Sequence, residues 1–481
     1  MKLINPLVII RILSTILIIE AVCFLFCVPV ALIYREPLSP FTYSALLTGI
    51  ISILLTVISL KADTSKISNR DGYLAVTLSW IIFCIAGSLP YLFSSQISDF
   101  TDALFESTSG FTTTGASVIN NVEGLPFSIL FWRSLTHWIG GIGIILLVIL
   151  ILPSLKISAQ QLFSLESSLT EKIHPQTKAI GTRILIIYLG LTIAEILLLS
   201  VGDMNLFDSI CHTFGTIATG GFSTRNSGIS GYSDYSQYII ALFMLLSGVS
   251  FIVYYYILKR QFNKIRNNNE LWFYIGITFC AGLLVSAILI LKNGHSSESA
   301  FREGFFQVIS IITTTGYANS DYLFWPKAAT LIIFLLLFAG ACTGSSAGSI
   351  KMARHLIVIK NIRYLYRKLI HPNAIMQIKM NGKPLPEKTN KSILSFVVLY
   401  LFIFLIGSIL IVSTGIDPVT SASASATALG NVGPGLGPIG PLFTYAGLPV
   451  ATKIIITVLM IVGRLEIITV FALFTRSFWR L

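Results

Sequence analysis

The sequence has very little charge. Only 11% of its 481 residues are Asp, Glu, Lys or Arg, whereas soluble domains contain roughly a quarter. It is 54% hydrophobic and its mean hydropathy is +0.81. These values exclude a disordered chain, an ordinary cytosolic enzyme and a soluble nucleic-acid binder. They indicate a polytopic membrane protein, in which apolar residues face lipid as well as a core.

Cysteine is also scarce, and no pair has the C-x-x-C spacing of a zinc site. The six cysteines lie in or beside apolar stretches: Cys23, Cys27, Cys84, Cys211, Cys280 and Cys342. We interpret them as small core residues with no disulfide or metal role. A cleavage site of small residues is missing after the first apolar run, so this run is predicted to be a retained membrane helix and not a signal peptide.

Ten apolar runs have about the 20 residues that a helix needs to cross the hydrocarbon core. They are 7–33, 41–60, 73–93, 128–152, 183–202, 236–258, 271–291, 328–350, 393–413 and 449–475. Of the 33 Lys and Arg, 25 lie at the two termini and in the loops on one side, among them the 351–391 segment. Because Lys and Arg accumulate on cytoplasmic loops, both termini and this segment are predicted to be cytoplasmic.

Four loops on the opposite side contain half-hydrophobic stretches, near 102–112, 206–217, 302–312 and 417–429. They are too short to span a membrane and too apolar for solvated loops. Because irregular backbone is not tolerated in contact with lipid, we expect re-entrant half-helices buried in protein.

Each half-helix is followed by a glycine loop, and the four loops align as an internal repeat. The loops read TTTGAS, ATGGFST, TTTGYAN and ALGNVGPG. The predicted fold is therefore all-α: an N-terminal hairpin (1–70) and four helix–half-helix–helix units around one pore. The units are 71–155, 156–266, 267–391 and 392–481.

Such a loop from each of four units can surround an axis and offer backbone carbonyls to a dehydrated cation. Glycine permits the left-handed backbone angles that this needs, and the half-helices place partial negative charge at the site. The predicted lining residues are Thr113, Thr114, Gly115, Ala218, Thr219, Gly220, Thr314, Thr315, Gly316, Asn431, Val432 and Gly433. No carboxylate lies within these loops, which favours a monovalent cation over a divalent one.

These loops resemble the four filter loops of the Trk/Ktr/HKT superfamily of cation transporters. The extra N-terminal hairpin resembles bacterial Trk membrane subunits of the TrkH/TrkG type. The resemblance implies potassium uptake across the bacterial inner membrane, with K⁺ bound at the filter and no other cofactor. It implies that Gly115, Gly220, Gly316 and Gly433 are the filter glycines; glycine at all four positions favours potassium. It also implies a homodimer and a peripheral cytoplasmic nucleotide-binding subunit of the TrkA type.

Two features are gate candidates. The eighth span is interrupted by small and polar residues, including Gly344, Ser345, Ser346 and Gly348, which cannot hold a stiff helix. This is either a close helix-packing patch or an unwound loop under the filter, which would resemble the family's gating loop. Arg464 lies within an apolar helix, where a charge is costly. The resemblance places it along the ion path, and Glu466, two residues away, is a poor partner on a helix.

The carboxylates on the outer side could concentrate cations at the pore mouth, although each alone is typical of a half-helix cap. They are Asp99, Asp102, Glu106, Asp203, Asp208, Glu303, Asp321 and Asp417. Arg133 is predicted to anchor at the interface or to pair with Glu106 or Asp102.

Alternative functions remain open at this point. A sodium- or proton-coupled symporter would use ionisable groups at the midplane, and Glu195 and Arg464 are the few candidates. Residues 344–348 match the G-x-S-x-G pattern of serine hydrolases, but no histidine is well placed to act with Ser346. Residues 435–440 match G-x-G-x-x-G but follow no strand of a βαβ unit, so nucleotide binding by this chain is not indicated. The basic 351–371 segment is predicted to be a helix that contacts anionic lipid or a regulatory protein.

Overall fold

The computed structural model describes residues 4–62, 68–146, 177–373 and 376–479. The end of the predicted 128–152 span, most of the basic 156–183 segment and the boundary between the first two repeats lie outside these residues. Helices dominate the described chain. One small hairpin of strands β1 (Lys379–Met380) and β2 (Lys383–Pro384) pairs antiparallel between two helices.

The N-terminal part contains three helices, α1 (Pro6–Leu25), α2 (Cys27–Ile33) and α3 (Ser39–Ile58). Small polar side chains on α3 let α1 approach closely, and the Ser52 hydroxyl donates to the Ser14 carbonyl at 2.6 Å. Most large side chains on the rest of α3 are apolar and exposed. The hairpin therefore packs through one face and presents apolar residues on the others.

The remaining helices occur in a recurring order of long helix, short helix, loop and second helix. In chain order they are α4 (Asn69–Gly87), α5 (Leu89–Phe93), α6 (Phe100–Phe111), α7 (Phe127–Leu146), α8 (Thr177–Val201), α9 (Leu206–Ile217), α10 (Asp234–Ser247), α11 (Phe251–Leu258), α12 (Phe262–Arg266), α13 (Asn269–Asn293), α14 (Ser297–Ile312), α15 (Lys327–Leu336), α16 (Met352–Ile370), α17 (Glu387–Val412), α18 (Pro418–Gly430), α19 (Val450–Arg464), α20 (Ile467–Ala472) and α21 (Arg476–Trp479).

The four short helices α6, α9, α14 and α18 have 12 to 16 residues, fewer than a span requires. Most of their side chains are buried in protein. Each begins at a polar N-cap that accepts a backbone N–H three residues on: Asp99, Asn205, Ser296 and Asp417. The predicted short, buried helices are therefore present, and α14 begins five residues before the predicted 302.

Among the described residues, six helices are long and apolar enough to cross a membrane, or seven if the bent pair α10 and α11 counts as one. The chain is thus a multi-pass membrane protein. Ten spans were predicted; part of 128–152 lies outside the described residues, and three of the other spans differ for a physical reason. The second helix of three repeats is interrupted, at 248–250, at 337–351 and at 465–466. The sequence predicted the second of these interruptions, whereas the expectation of continuous helices at 236–258 and 449–475 was wrong.

The backbone groups released by two of the interruptions pair with each other. The Cys342 N–H donates to the Gly248 carbonyl and the Phe251 N–H donates to the Gly344 carbonyl, both at 3.0 Å. These bonds satisfy polar backbone that would otherwise be costly at membrane depth. The 337–351 loop therefore packs against the bend of 91° between α10 and α11.

Candidate functional site: four glycine loops and the loop beside them

The loops that follow the four short helices share one backbone pattern. Thr113, Thr219, Thr314 and Asn431 have left-handed φ angles of 53°, 57°, 57° and 52°. Two residues further on, each loop has a glycine with positive φ: Gly115, Gly221, Gly316 and Gly433, with φ of 80°, 86°, 80° and 99°. Non-glycine residues rarely adopt left-handed angles, so the matching pattern identifies equivalent positions in the four loops.

This pattern corrects the sequence alignment of the second loop by one residue. The glycine equivalent to Gly115, Gly316 and Gly433 is Gly221, whereas Gly220 occupies the position of Thr114, Thr315 and Val432. Loops one and three each have a single glycine after their threonines, whereas loop two has two in a row. The sequence alignment therefore took the first glycine after Thr219 as the equivalent one. The backbone angles distinguish the two, since only Gly221 of the pair has a positive φ.

The four glycines lie where the loops meet in a closed ring. A Cβ atom at Gly115 would collide with the carbonyl oxygen of Gly220, and one at Gly221 with that of Thr315. A Cβ at Gly316 would likewise collide with the Val432 carbonyl, and one at Gly433 with the Thr114 carbonyl. The contacts run from the first loop to the second, third and fourth and back to the first. Each glycine therefore allows the next loop's carbonyl to approach closely.

Hydroxyl groups stabilise the first and third loops from within. The Thr112 and Thr114 hydroxyls lie 2.8 Å apart, and those of Thr313 and Thr315 lie 2.9 Å apart. All four side chains are buried. The other two loops have no threonine pair at these positions, and side chains from other elements contribute hydrogen bonds to them.

His137 on α7 stabilises the second loop. Its Nε2 accepts the Phe222 N–H at 3.2 Å and its Nδ1 lies 2.8 Å from the Gly110 carbonyl, so the proton is on Nδ1. The ring is fully buried and fills the space beside Gly220. Sequence analysis considered histidines only as partners for Ser346 and did not predict this contact of His137.

Asn431 and Tyr445 stabilise the fourth loop. The Asn431 amide donates to the Thr114 hydroxyl at 3.0 Å and to the Met460 carbonyl at 2.9 Å. The Tyr445 hydroxyl donates to the Gly433 carbonyl at 2.6 Å. Asn431 thus links the fourth loop both to the first loop and to helix α19.

A cavity of about 120 Å³ opens beside the ring. It is lined by Gly115, Gly221, Gly316 and Gly433 and by residues that follow them in each loop. All four ring glycines therefore face one common space, which the loops after the glycines surround.

The carboxylates predicted for the outer side do not line this cavity, and they are engaged in structural contacts. Glu106 and Arg133 form a buried ion pair at 2.8 Å, as predicted, and Glu106 also accepts the Val118 N–H. The alternative partner Asp102 pairs with Lys453 at 2.7 Å. Arg133 is only 2% exposed, so it is not an interfacial anchor.

Asp99, Asp321 and Asp417 act as helix caps. Asp208 accepts the Thr224 hydroxyl, and Glu303 lies 3.6 Å from His295. Burial would raise the pKa of Asp203, but hydrogen bonds from Ser233 and Ser236 lower it to about 2. Three of the eight carboxylates are therefore helix caps, as predicted for single members, and the others bind neighbouring side chains.

The interrupted stretch between α15 and α16 lies against the ring, on the side of the residues that precede the glycines. The Gly348 N–H donates to the Thr314 hydroxyl at 2.7 Å, and the Ser346 hydroxyl donates to the Ile217 carbonyl at 3.1 Å. A Cβ at Gly348 would collide with the Gly430 carbonyl. The loop thus contacts the second, third and fourth repeats at once. Gly344 and Ser345 belong to its turn, and the Gly344 φ is 78°.

Arg464, at the end of α19, joins this loop to helix α7. Its guanidinium donates to the Ser346 carbonyl at 2.9 Å and to the Gly140 carbonyl at 2.7 Å. The side chain is 7% exposed. Glu466, two residues further on, binds Arg354 of α16 at 2.7 Å.

A serine hydrolase would need a histidine beside Ser346. The Ser346 hydroxyl instead donates to a backbone carbonyl, and His137, His212 and His355 each bond to a backbone carbonyl elsewhere. The 435–440 motif contains a 3₁₀ turn at Gly437–Ile439. Within the described residues, no group of three or more His, Cys, Asp or Glu side chains is arranged to hold a metal ion.

Comparison with known proteins identifies the family. The TrkH family model, described as cation transport protein, matches residues 43–291 and 293–480. The Trk system potassium uptake protein TrkH of Escherichia coli K12 is 35% identical over 460 residues, covering 94% of both chains. TrkG of the same organism is 33% identical and covers 87% of both chains.

A solved structure is also similar over nearly the full length. The crystal structure of the potassium transporter TrkH from Vibrio parahaemolyticus matches with a TM-score of 0.87 and 32% identity, covering 98% of this chain and 99% of that one. These relatives are transporters, so this chain is not an enzyme and the hydrolase alternative is not favoured. The chain belongs to the TrkH family of cation transport proteins.

Proposed function

We propose that this chain mediates potassium uptake through the centre of the ring formed by its four glycine loops. The closed contact between loops is the observation that carries the proposal. Each ring glycine lies against a carbonyl oxygen of the next loop, those of Gly220, Thr315, Val432 and Thr114. Carbonyl oxygens gathered around one axis can replace the hydration shell of a monovalent cation.

The short helices support the same function. They end at Phe111, Ile217, Ile312 and Gly430, immediately before the loops. The C-terminal end of a helix carries partial negative charge, so four such ends would favour a cation in the ring. The names of the relatives, which are potassium uptake proteins, support potassium as the transported ion.

The proposed gate is the 337–351 loop together with Arg464. The loop binds the third filter loop through Gly348, and Arg464 holds it through the Ser346 carbonyl. A positive charge beside the path would raise the barrier to a cation. Moving the loop and Arg464 away from the ring would open the path.

The orientation and the partners are part of the proposal. The excess of Lys and Arg supports a cytoplasmic position for both termini and the 351–391 segment, and the resemblance to bacterial Trk subunits supports an inner-membrane location. The resemblance to Trk membrane subunits supports a homodimer and a peripheral nucleotide-binding regulatory subunit. α16 extends from the gate loop and contains Lys360, Arg363, Arg367 and Lys368, which suits such a subunit or anionic lipid.

The test is ion flux into proteoliposomes that contain the purified chain, measured for potassium, rubidium and sodium. Potassium and rubidium should pass ahead of sodium. Gly316→Ser places a side chain against the Val432 carbonyl at a positive φ, so it should lower the potassium preference at least about tenfold, which corresponds to ~1.4 kcal/mol. Gly276→Ser is the matched control, because Gly276 is an exposed helical glycine and a Cβ atom added there would have no atom within 4 Å.

The gate is tested in the same vesicles with Arg464→Ala, which should raise basal flux, and with Arg476→Ala as an exposed arginine control. Equal passage of sodium and potassium by the unmodified chain would contradict the selectivity. An unaltered ion ratio in Gly316→Ser would mean that these loops are not the filter. Unchanged basal flux in Arg464→Ala would remove Arg464 from the gate.

A further inference from the structure

Helix α16 begins directly after the gate loop without a cap from its own sequence. Its N-cap residue is Lys351, whose side chain makes no capping hydrogen bond. Lysine has no acceptor atom, so it cannot satisfy the first N–H groups of the helix. The Lys351 ammonium instead contacts the Ala347 carbonyl within the loop. The N-terminus of α16 therefore needs an acceptor from elsewhere.

Glu270, in the first turn of α13, supplies that acceptor. Its Oε1 accepts the Ala353 N–H of α16 at 3.1 Å and the Thr343 N–H of the gate loop at 2.5 Å. Glu270 is itself held by Asn268, whose side chain accepts the backbone N–H of Glu270 and of Leu271. One carboxylate oxygen of α13 therefore joins the middle of the 337–351 loop to the first turn of α16.

We infer that Glu270 is a positioning residue that holds the 337–351 loop against the ring and couples it to α16. The inference rests on the proposed role of this loop as the gate. A carboxylate suits the position, because hydrogen bonds to an ionised acceptor are stronger than neutral ones and negative charge is favoured at a helix N-terminus. Because both N–H groups share one oxygen, displacing α16 strains the bond to Thr343.

An ion pair also holds the same turn of α16. Arg354 follows Ala353, is only 7% exposed, and binds Glu466 at the break between α19 and α20. Its guanidinium also lies 3.7 Å from the centre of the Phe396 ring. Glu466 has a left-handed φ of 55°, which a non-glycine residue adopts only at a cost. The first turn of α16 is thus fixed between Glu270 and Glu466, close to both gate elements.

A native thiol reports on the loop. Cys342 precedes Thr343, is 1% exposed and is free. If Glu270 holds the loop, Glu270→Ala should expose this thiol to a permeant maleimide. The modification rate is measured by peptide mass spectrometry in a Cys280→Ser background. It should rise at least about tenfold, because losing one hydrogen bond to a charged group changes the equilibrium between the closed and open loop by at least about that factor.

Glu270→Gln retains an acceptor oxygen at the same place and should restore most of the protection. Glu387→Ala is the matched control, since Glu387 also lies in the first turn of a long helix, α17, but forms an exposed pair with Lys391. It should leave the Cys342 rate unchanged. Thermal unfolding of all variants separates loop release from a general loss of stability, which would raise the rate at the other buried cysteines too.

Basal potassium flux is measured on the same preparations. Faster modification confined to Cys342, with raised flux, supports both the inference and the gate. Faster modification with unchanged flux supports Glu270 as the residue that holds the loop and overturns the loop as a gate. An unchanged Cys342 rate in Glu270→Ala, or a rise equal at all buried cysteines, overturns the inference about Glu270 whatever the flux of Arg464→Ala.

Discussion

The first and third glycine loops differ from the second and fourth in the source of their hydrogen bonds. Loops one and three contain a pair of threonine hydroxyls within bonding distance, Thr112 with Thr114 and Thr313 with Thr315. Loop two is bonded by His137 of α7. Loop four uses Asn431 and, from a later segment, Tyr445. The backbone path is shared, but only loops one and three contain a threonine pair that stabilises it from within.

This difference explains which repeats are easy to recognise. A loop that is stabilised from within must keep its own sequence, so loops one and three both read Thr-Thr-Thr-Gly. A loop stabilised by other elements is free to differ, provided that glycine remains where the next carbonyl approaches. Sequence comparison therefore aligns the self-stabilised loops well and can place the others one residue out of register.

The largest effect should come from testing that register. Gly221→Ala introduces a side chain at a positive φ and against the Thr315 carbonyl, which is backbone and cannot move aside. It should abolish the potassium preference as fully as Gly316→Ala does. Gly220→Ala meets mainly the His137 ring. In a His137→Ala background it should therefore add little further loss, whereas Gly221→Ala should add its full effect.

The flux ratio of potassium to sodium in proteoliposomes is measured for the four single variants and the two double variants. Gly190→Ala serves as the control, because Gly190 lies in α8 with open space around it. If Gly220→Ala proved as harmful with His137 removed as with it present, and Gly221→Ala were tolerated, the sequence register would stand and the backbone register would be wrong.

An intermediate effect should distinguish the two sources of hydrogen bonds. His137→Ala leaves the buried Phe222 N–H and Gly110 carbonyl without their partner, at ~1–3 kcal/mol for each group. Thr313→Val leaves one buried group, the Thr315 hydroxyl, without this partner, at ~1–3 kcal/mol. The melting temperature in detergent should therefore fall more for His137→Ala. Equal shifts would show that the contact from α7 stabilises its loop no more than the internal threonine pair does.

Much of the fold could be predicted from the sequence because membrane burial leaves a strong pattern. Long apolar runs, Thr/Gly loops and the small residues between Ala339 and Ser349 are all direct consequences of lipid contact or of close backbone approach. The bends at 248–250 and 465–466 could not be predicted in the same way. At 248–250 the released backbone groups bind Cys342 and Gly344 of the distant 337–351 loop, which no local pattern encodes.

The same reasoning explains which site residues the sequence missed. Arg464 was identified because a charge in an apolar run is conspicuous. Glu270 lies at the start of a helix, where an acidic residue is ordinary, and His137 lies among apolar residues with no motif around it. Their importance comes from atoms of distant segments, Thr343 and Ala353 for Glu270 and Phe222 for His137. No local pattern encodes such contacts.

The smallest expected effect concerns the opposite ends of the short helices, where α18 and α14 differ. α18 is capped by Asp417 and α14 by Ser296. The Thr420 hydroxyl and backbone N–H lower the pKa of Asp417. Its contribution to stability is therefore complete above the usual carboxyl pKa of about 4 and is lost as pH falls through the lower value in the folded state. Because Asp417 is exposed to solvent, the change in melting temperature should amount to a few degrees at most.

Melting curves between pH 6 and about 3 test this. Near neutrality Asp417→Asn should be as stable as the unmodified chain, since asparagine is also a good cap. In acid it should be more stable than the unmodified chain. Ser296→Ala, which removes a cap that does not titrate, should lower the melting temperature by the same amount at every pH. If the melting temperature of Asp417→Asn instead followed that of the unmodified chain throughout the acid range, the charge of the Asp417 cap would contribute nothing to stability. The caps of α18 and α14 would then not differ in this respect.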